Sequence, residues 1–100
     1  MKVTNLTNGR GRKVANQFII TNGNVYTFQS YNSVVAVVNF DNSTITIGGN
    51  WNYSTTTSRY RNAFFEGLGL DELSDTASVR KAIKNGEVTG YTVIYKEDLK

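Results

Sequence analysis

Near residue 54 the spacing of apolar side chains changes from a period of two to a period of about 3.6, and this switch limits the chain to folds in which a sheet is laid down before helices pack on it. Ahead of the switch, Asn22-Gly23 is the clearest local signal. A type I′ turn needs positive φ at both central positions, which Asn-Gly tolerates best, so a hairpin is predicted with arms Asn16 to Thr21 and Asn24 to Ser30. Tyr31-Asn32 supplies the next turn. Ser33 to Phe40 places Val34, Ala36, Val38 and Phe40 on one face and Val35 and Val37 on the other, the pattern of a central strand. Asp41-Asn42 turns the chain, and Ser43 to Gly48 alternates Thr44 and Thr46 with Ile45 and Ile47, as a half-buried strand does.

Beyond the switch, Ser54 or Thr56 can cap a helix with Tyr60, Phe64 and Leu68 facing inward and Arg59, Arg61, Asn62 and Glu66 facing outward. Gly67 and Gly69 end it. Ser74 or Asp75 caps a second helix with a buried stripe of Val79, Ala82 and Ile83, stopped by Asn85-Gly86. Tyr91 to Lys96 reads as a final strand. The expected fold class is α+β: one small domain with an antiparallel four- to five-stranded sheet (meander) and two helices, in the order ββββααβ. That domain is expected over residues 14–100, with residues 1–13 as a mobile basic arm that has little to bury.

The chain has 100 residues, 39% of them apolar, enough for one modest core. It contains no His and no Cys, which removes imidazole bases, thiol nucleophiles, disulfides and the common zinc sites. Its longest apolar run, Val34 to Val38, falls far short of the roughly 20 residues of a membrane span. No apolar leader is visible in the first fifteen residues, so the expected setting is the cytoplasm and no membrane contact. The formal charge of +3 divides unevenly. Residues 1–61 carry Lys2, Arg10, Arg12, Lys13, Arg59 and Arg61 against Asp41 alone, whereas residues 62–100 are mildly acidic. A basic front half suits an anionic partner, either nucleic acid or an acidic protein face.

The residues that could carry chemistry are few. Glu66, Asp71, Glu72 and Asp75 match no calcium loop, and helix-start charges explain them, so no metal or cofactor is expected. The hydroxyl run Ser54-Thr55-Thr56-Thr57-Ser58 has no histidine to accept a proton, so no enzyme activity is expected. Gly9-Arg10-Gly11-Arg12-Lys13 fits no Walker or dinucleotide loop, yet arginines beside glycine can neutralise phosphates at small steric cost. Tyr31, Trp51 and Tyr53 sit at strand ends or turns, where binding residues concentrate. With Arg59 and Arg61 they could form a stacking platform, while Trp51 and Tyr53 could equally clamp the first helix to the sheet.

Several of these stretches also resemble a known family when taken in order. Val14-Ala15-Asn16-Gln17-Phe18, Tyr26 to Ala36, Trp51-Asn52-Tyr53-Ser54-Thr55-Thr56, Arg59-Tyr60-Arg61-Asn62 and Val79 to Gly86 are similar to a family of small phage and mobile-element proteins of unknown function. The resemblance spans most of residues 8 to 86 and departs from the family pattern around Phe64 to Asp75. It implies a setting and no catalytic residues. In that setting the expected function is a non-enzymatic phage-encoded binding protein, of the kind that includes anti-CRISPR inhibitors blocking a host Cas nuclease stoichiometrically in the bacterial cytoplasm. Its partner would be a host protein or ribonucleoprotein, and the expected contacts are Arg10, Arg12, Lys13, Tyr31, Trp51, Tyr53, Arg59 and Arg61. The alternative is a phage accessory protein that binds single-stranded nucleic acid. A dimer through an exposed edge strand stays open.

Overall fold

A computed structural model describes residues 1–99. Five strands follow one another in an antiparallel meander: β1 (Lys2–Thr7), β2 (Lys13–Asn22), β3 (Val25–Ser30), β4 (Ser33–Asn39) and β5 (Thr44–Gly48). Helix α1 (Thr55–Gly67), a 3-10 turn at Asp71–Leu73 and helix α2 (Thr76–Asn85) then carry the chain back across the sheet. It returns as β6 (Glu87–Val88) and β7 (Tyr91–Lys96), and β7 lies parallel to β5. The seven strands form one mixed sheet in the order β1-β2-β3-β4-β5-β7-β6.

The α+β class and the two helices match expectation, but the strand count, the element order and the purely antiparallel sheet need correction. A helical crossover between β5 and β7 brings the chain back to the end from which β5 started, so the new strand pairs in parallel. The stretch 1–13 is not a separate arm, because Lys2–Thr7 pairs with β2 from Lys2↔Thr21 to Asn5↔Phe18. Only Leu6 of this strand is buried, so its alternation was hidden by polar side chains on both faces. The first hairpin also turns one residue later than expected. Asn22 pairs with Val25, leaving Gly23-Asn24 as the loop, with positive φ only at Gly23 (61°). This is the II′ pattern, which places glycine first.

A bulge interrupts β4. Phe28 pairs with Ala36 and Gln29 with Val34, so Val35 is the extra residue, and Val35 and Ala36 are both fully buried. The helices cover this face of the sheet. Phe64 stacks on Phe28 with ring centroids 5.7 Å apart and meets Phe65 at 5.4 Å, while Leu73, Val79 and Ala82 complete the layer over Val38, Ile45 and Ile47. Burial of each such aromatic contributes about 1.5–3 kcal/mol. At the far corner, a Cβ on Gly49 would lie 2.5 Å from the Glu97 carbonyl oxygen, so only glycine lets the C-terminal residues pass.

Both helix starts are capped. The Ser54 hydroxyl accepts from the Thr57 backbone N–H at 3.1 Å, and an Asp75 carboxylate oxygen accepts from the Ser78 N–H at 2.7 Å. The latter bond, with smaller contributions including the charge of Arg61, holds the Asp75 carboxyl below its ordinary value of 3.8. Because the folded-state value is the lower one, the cap's contribution is present above pH 3.8 and is lost as pH falls through the folded value. An Asp75→Asn variant retains an oxygen cap without a charge, so its melting temperature should fall less on acidification below pH 3.8 than that of the native chain.

Candidate functional site

Strand direction decides which loops meet. Pairings Gln17↔Ser30, Ser30↔Ser33 and Ala36↔Ile47 place the start of β2, the end of β3, the start of β4 and the end of β5 at one end of the sheet. The 8–12 loop, the Tyr31-Asn32 turn and the 49–54 segment therefore emerge together, bringing Arg10, Arg12, Lys13, Tyr31, Trp51 and Tyr53 to that end. The basic loop is ordered by Asn8, whose side-chain oxygen accepts from the N–H groups of Arg10 (2.9 Å) and Arg12 (3.1 Å). Residues Lys13 to Asn16 of β2 extend beyond the end of the β2–β3 pairing, so the hairpin projects with Arg10, Arg12 and Lys13 exposed at its tip.

Beside this hairpin lies an open groove of about 470 Å³. Ser30, Ser33, Val35 and Thr57 line it together with Tyr31, Asn32, Asn50 and Tyr53, and none of the eight is charged. Its hydroxyls are engaged by neighbours in the lining: Ser30 Oγ lies 3.1 Å from Thr57 Oγ1, and Asn50 Nδ2 donates to Ser33 Oγ at 3.0 Å. Tyr31 is 55% exposed and Tyr53 79% exposed. A tyrosine offers a rigid apolar ring with a polar tip, the side chain that protein interfaces favour. The sequence reading missed the hydroxyl lining, although Ser30 and Ser33 directly flank the Tyr31-Asn32 turn and so had to pair across it.

Tyr31 is held in an unfavourable backbone conformation, with φ at 55°. Its N–H donates to the Asn16 carbonyl at 2.7 Å and its own carbonyl accepts from Gln29 Nε2 at 2.8 Å. A bulky residue in the left-handed region costs of order 1–2 kcal/mol, and such strain gathers at functional positions. Asparagine tolerates that region, so Tyr31→Asn should raise the unfolding free energy by about 0.5–1 kcal/mol in urea titrations while removing one ring from the groove.

Two expected contact residues are structural instead. Arg61 is fully buried, contrary to the outward position assigned to it, because Thr57, Tyr60, Arg61, Phe64 and Phe65 share the inward stripe of α1. Its Nη1 donates to the Trp51 carbonyl at 2.6 Å, its Nη2 to Thr76 Oγ1 at 2.8 Å and Asn62 Oδ1 at 2.7 Å, and its Nε to Asn62 Oδ1 at 3.2 Å. Burial lowers its pKa to about 10, Asp75 opposes that shift and Arg80 adds to it. The guanidiniums of Arg61 and Arg80 lie over the Trp51 ring at 5.3 and 5.4 Å from its centroid. Trp51 thus bridges an arginine of α1 and an arginine of α2 through its ring. Arg59 is exposed on α1 but does not line the groove.

Gln17 is the one buried side chain with idle polar atoms among the described residues: it is fully buried beside Ser30 and neither atom of its amide has a hydrogen-bond partner. The carboxylates do not gather. Among the described residues no group of three or more His, Cys, Asp or Glu could hold a metal ion, and no helix is long and apolar enough to cross a membrane.

The model of a family of unknown function, DUF8033, matches residues 1–94. The chain belongs to that family. The DUF8033 match runs from β1 into β7 and so takes in the projecting hairpin, the Tyr31-Asn32 turn and the 49–54 segment. Comparison with curated proteins and with solved structures gives no match.

Proposed function

We propose that this DUF8033 chain is a non-enzymatic binding protein that holds a segment of a partner protein in the groove between Tyr31 and Tyr53. The observation that carries this reading is the uncharged lining of a 470 Å³ groove bearing two exposed tyrosines. A track for nucleic acid must neutralise phosphates along its length, whereas this lining offers hydroxyls, amides and rings, which pair with peptide groups and apolar side chains. Arg10, Arg12 and Lys13 stand at the same end of the sheet and would meet an acidic rim on the partner, speeding the encounter. The finer form of the proposal is a phage-encoded, anti-CRISPR-type protein that blocks a host Cas nuclease stoichiometrically in the bacterial cytoplasm. Its support is the sequence resemblance. The single-strand alternative loses two members of its platform, since Trp51 carries two arginines of this chain and Arg61 is buried.

The test uses the chain as bait in host lysate, followed by affinity measurement with the recovered partner. Interface tyrosines cost about 2 kcal/mol or more on truncation, so a Tyr31→Ala/Tyr53→Ala variant should bind at least about a hundredfold more weakly. Charge reversal at Arg10, Arg12 and Lys13 should slow association while leaving dissociation nearly unchanged. Unaltered affinity in the tyrosine variant would overturn the proposal. So would micromolar or tighter binding to single-stranded RNA or DNA that weakens steeply with salt.

A further inference from the structure

The face of the sheet turned away from the helices is as distinctive as the groove. Register fixes one continuous row across six strands, Val3↔Ile20↔Thr27↔Val37↔Thr46↔Ile94. Phe18 and Val34 lie on the same face, joined through Gln29. Neither these two nor the aliphatic members of the row belong to the hydrophobic cluster or to the side chains packed against it, and Val3 and Ile94 are 57% and 44% exposed. Antiparallel sheets with a wet outer face usually alternate apolar-in with polar-out. Here the outward positions from Asn5 on β1 to Thr44 on β5 carry no charge, in a chain with 19 charged residues per hundred. The first charges met on this face are Glu87 and Lys96, at the β6–β7 edge.

We infer that this face is a self-association surface on which two copies of the chain pack sheet to sheet. An uncharged face that mixes aliphatic, threonine and amide side chains is satisfied by another of the same kind, and a two-fold axis supplies one by bringing the same patch from each copy together. The area is sufficient. Six strands at about 4.8 Å spacing and some 20 Å long cover roughly 580 Å² in plan, which side-chain relief brings near the ~800 Å² per partner of a specific interface. The row centres between Thr27 and Val37, so in the dimer each Val37 lies close to the axis and to its symmetry mate. The groove lies on the helix-covered side and stays open, so this inference stands independently of the proposed function.

Sedimentation velocity of the full chain over a concentration series tests it. Interfaces of this size sustain constants of micromolar or better, so the native chain at about 100 µM should sediment at twice the monomer mass. Val37→Lys sets two ammonium groups against each other in an apolar layer, and the dimerisation midpoint should rise at least about a hundredfold. Ile94→Lys is the companion, because its exposed side chain can be changed without unfolding the chain, and it should also weaken the dimer; circular dichroism confirms that each variant is folded. A monomeric native chain at that concentration would overturn the inference. So would a dimer that persists in both folded variants, which would point to pairing through a strand edge.

Discussion

Arg61→Ala is expected to lower the unfolding free energy by about 3–5 kcal/mol in urea titrations, because it strands buried acceptors and leaves a cavity. Four hydrogen bonds join this side chain to the Trp51 carbonyl before α1, to Asn62 within α1 and to Thr76 at the start of α2. It therefore ties together three segments that share no strand pairing. Lysine offers a single point of donation and cannot replace the planar fork, so Arg61→Lys should recover little. Arg61→Met should lie between alanine and the native residue, since it refills the volume and removes a charge that burial disfavours. The sign of that last effect follows from the pKa. The folded value of about 10 lies below that of an ordinary arginine, so the unfolded state holds its proton more tightly. Desolvation of the charge opposes folding at neutral pH, and the opposition is relieved only as pH rises above about 10. In Arg61→Met that dependence should be absent.

Gln17→Met should move stability in the opposite direction, by about 1–3 kcal/mol, the cost of burying an amide without partners. The side chain lies wholly inside, and neither its amide nitrogen nor its oxygen finds a hydrogen bond. Methionine is likewise unbranched and can follow the same path without a polar end. A rise in the urea midpoint with an unchanged slope is the expected result. A fall would mean that the Gln17 amide is satisfied in solution, by water or by a ligand.

The parts of the fold that were legible share a local cause. The Tyr31-Asn32 turn, the Ser54 and Asp75 caps and the stop at Gly86 are each set by a few neighbouring residues. The one-residue difference at the first turn leaves the strand faces unchanged. Pairing Asn22 with Val25 rather than Thr21 with Asn24 shifts the cross-strand partner by two residues, and an even shift keeps Phe28 and Ile19 on the same face. What was hidden depends on distant partners. β1 is a strand because β2 pairs with it, with little burial of its own. β7 runs parallel because of the crossover, which no local pattern encodes.

Tyr31 and Tyr53 stand out in the sequence by their positions at turns, and both line one groove. Charge alone would turn Arg61 outward, but its position on the helix turns it inward. It follows Thr57 by four residues and precedes Phe64 by three, which places it on the inward stripe of α1. An arginine there needs carbonyls and hydroxyls within reach, and these come from Trp51 and Thr76, both outside the helix.

The claim that the groove receives a protein is tested most directly by photo-crosslinking in cells that express the chain, with a photoreactive side chain placed at Tyr53, at Asn32, and as a control at Ala63 on the exposed side of α1. The account predicts the same discrete protein adduct from positions 53 and 32 and none from 63. Adducts to nucleic acid at 53 and 32, or a protein adduct from 63 alone, would contradict it.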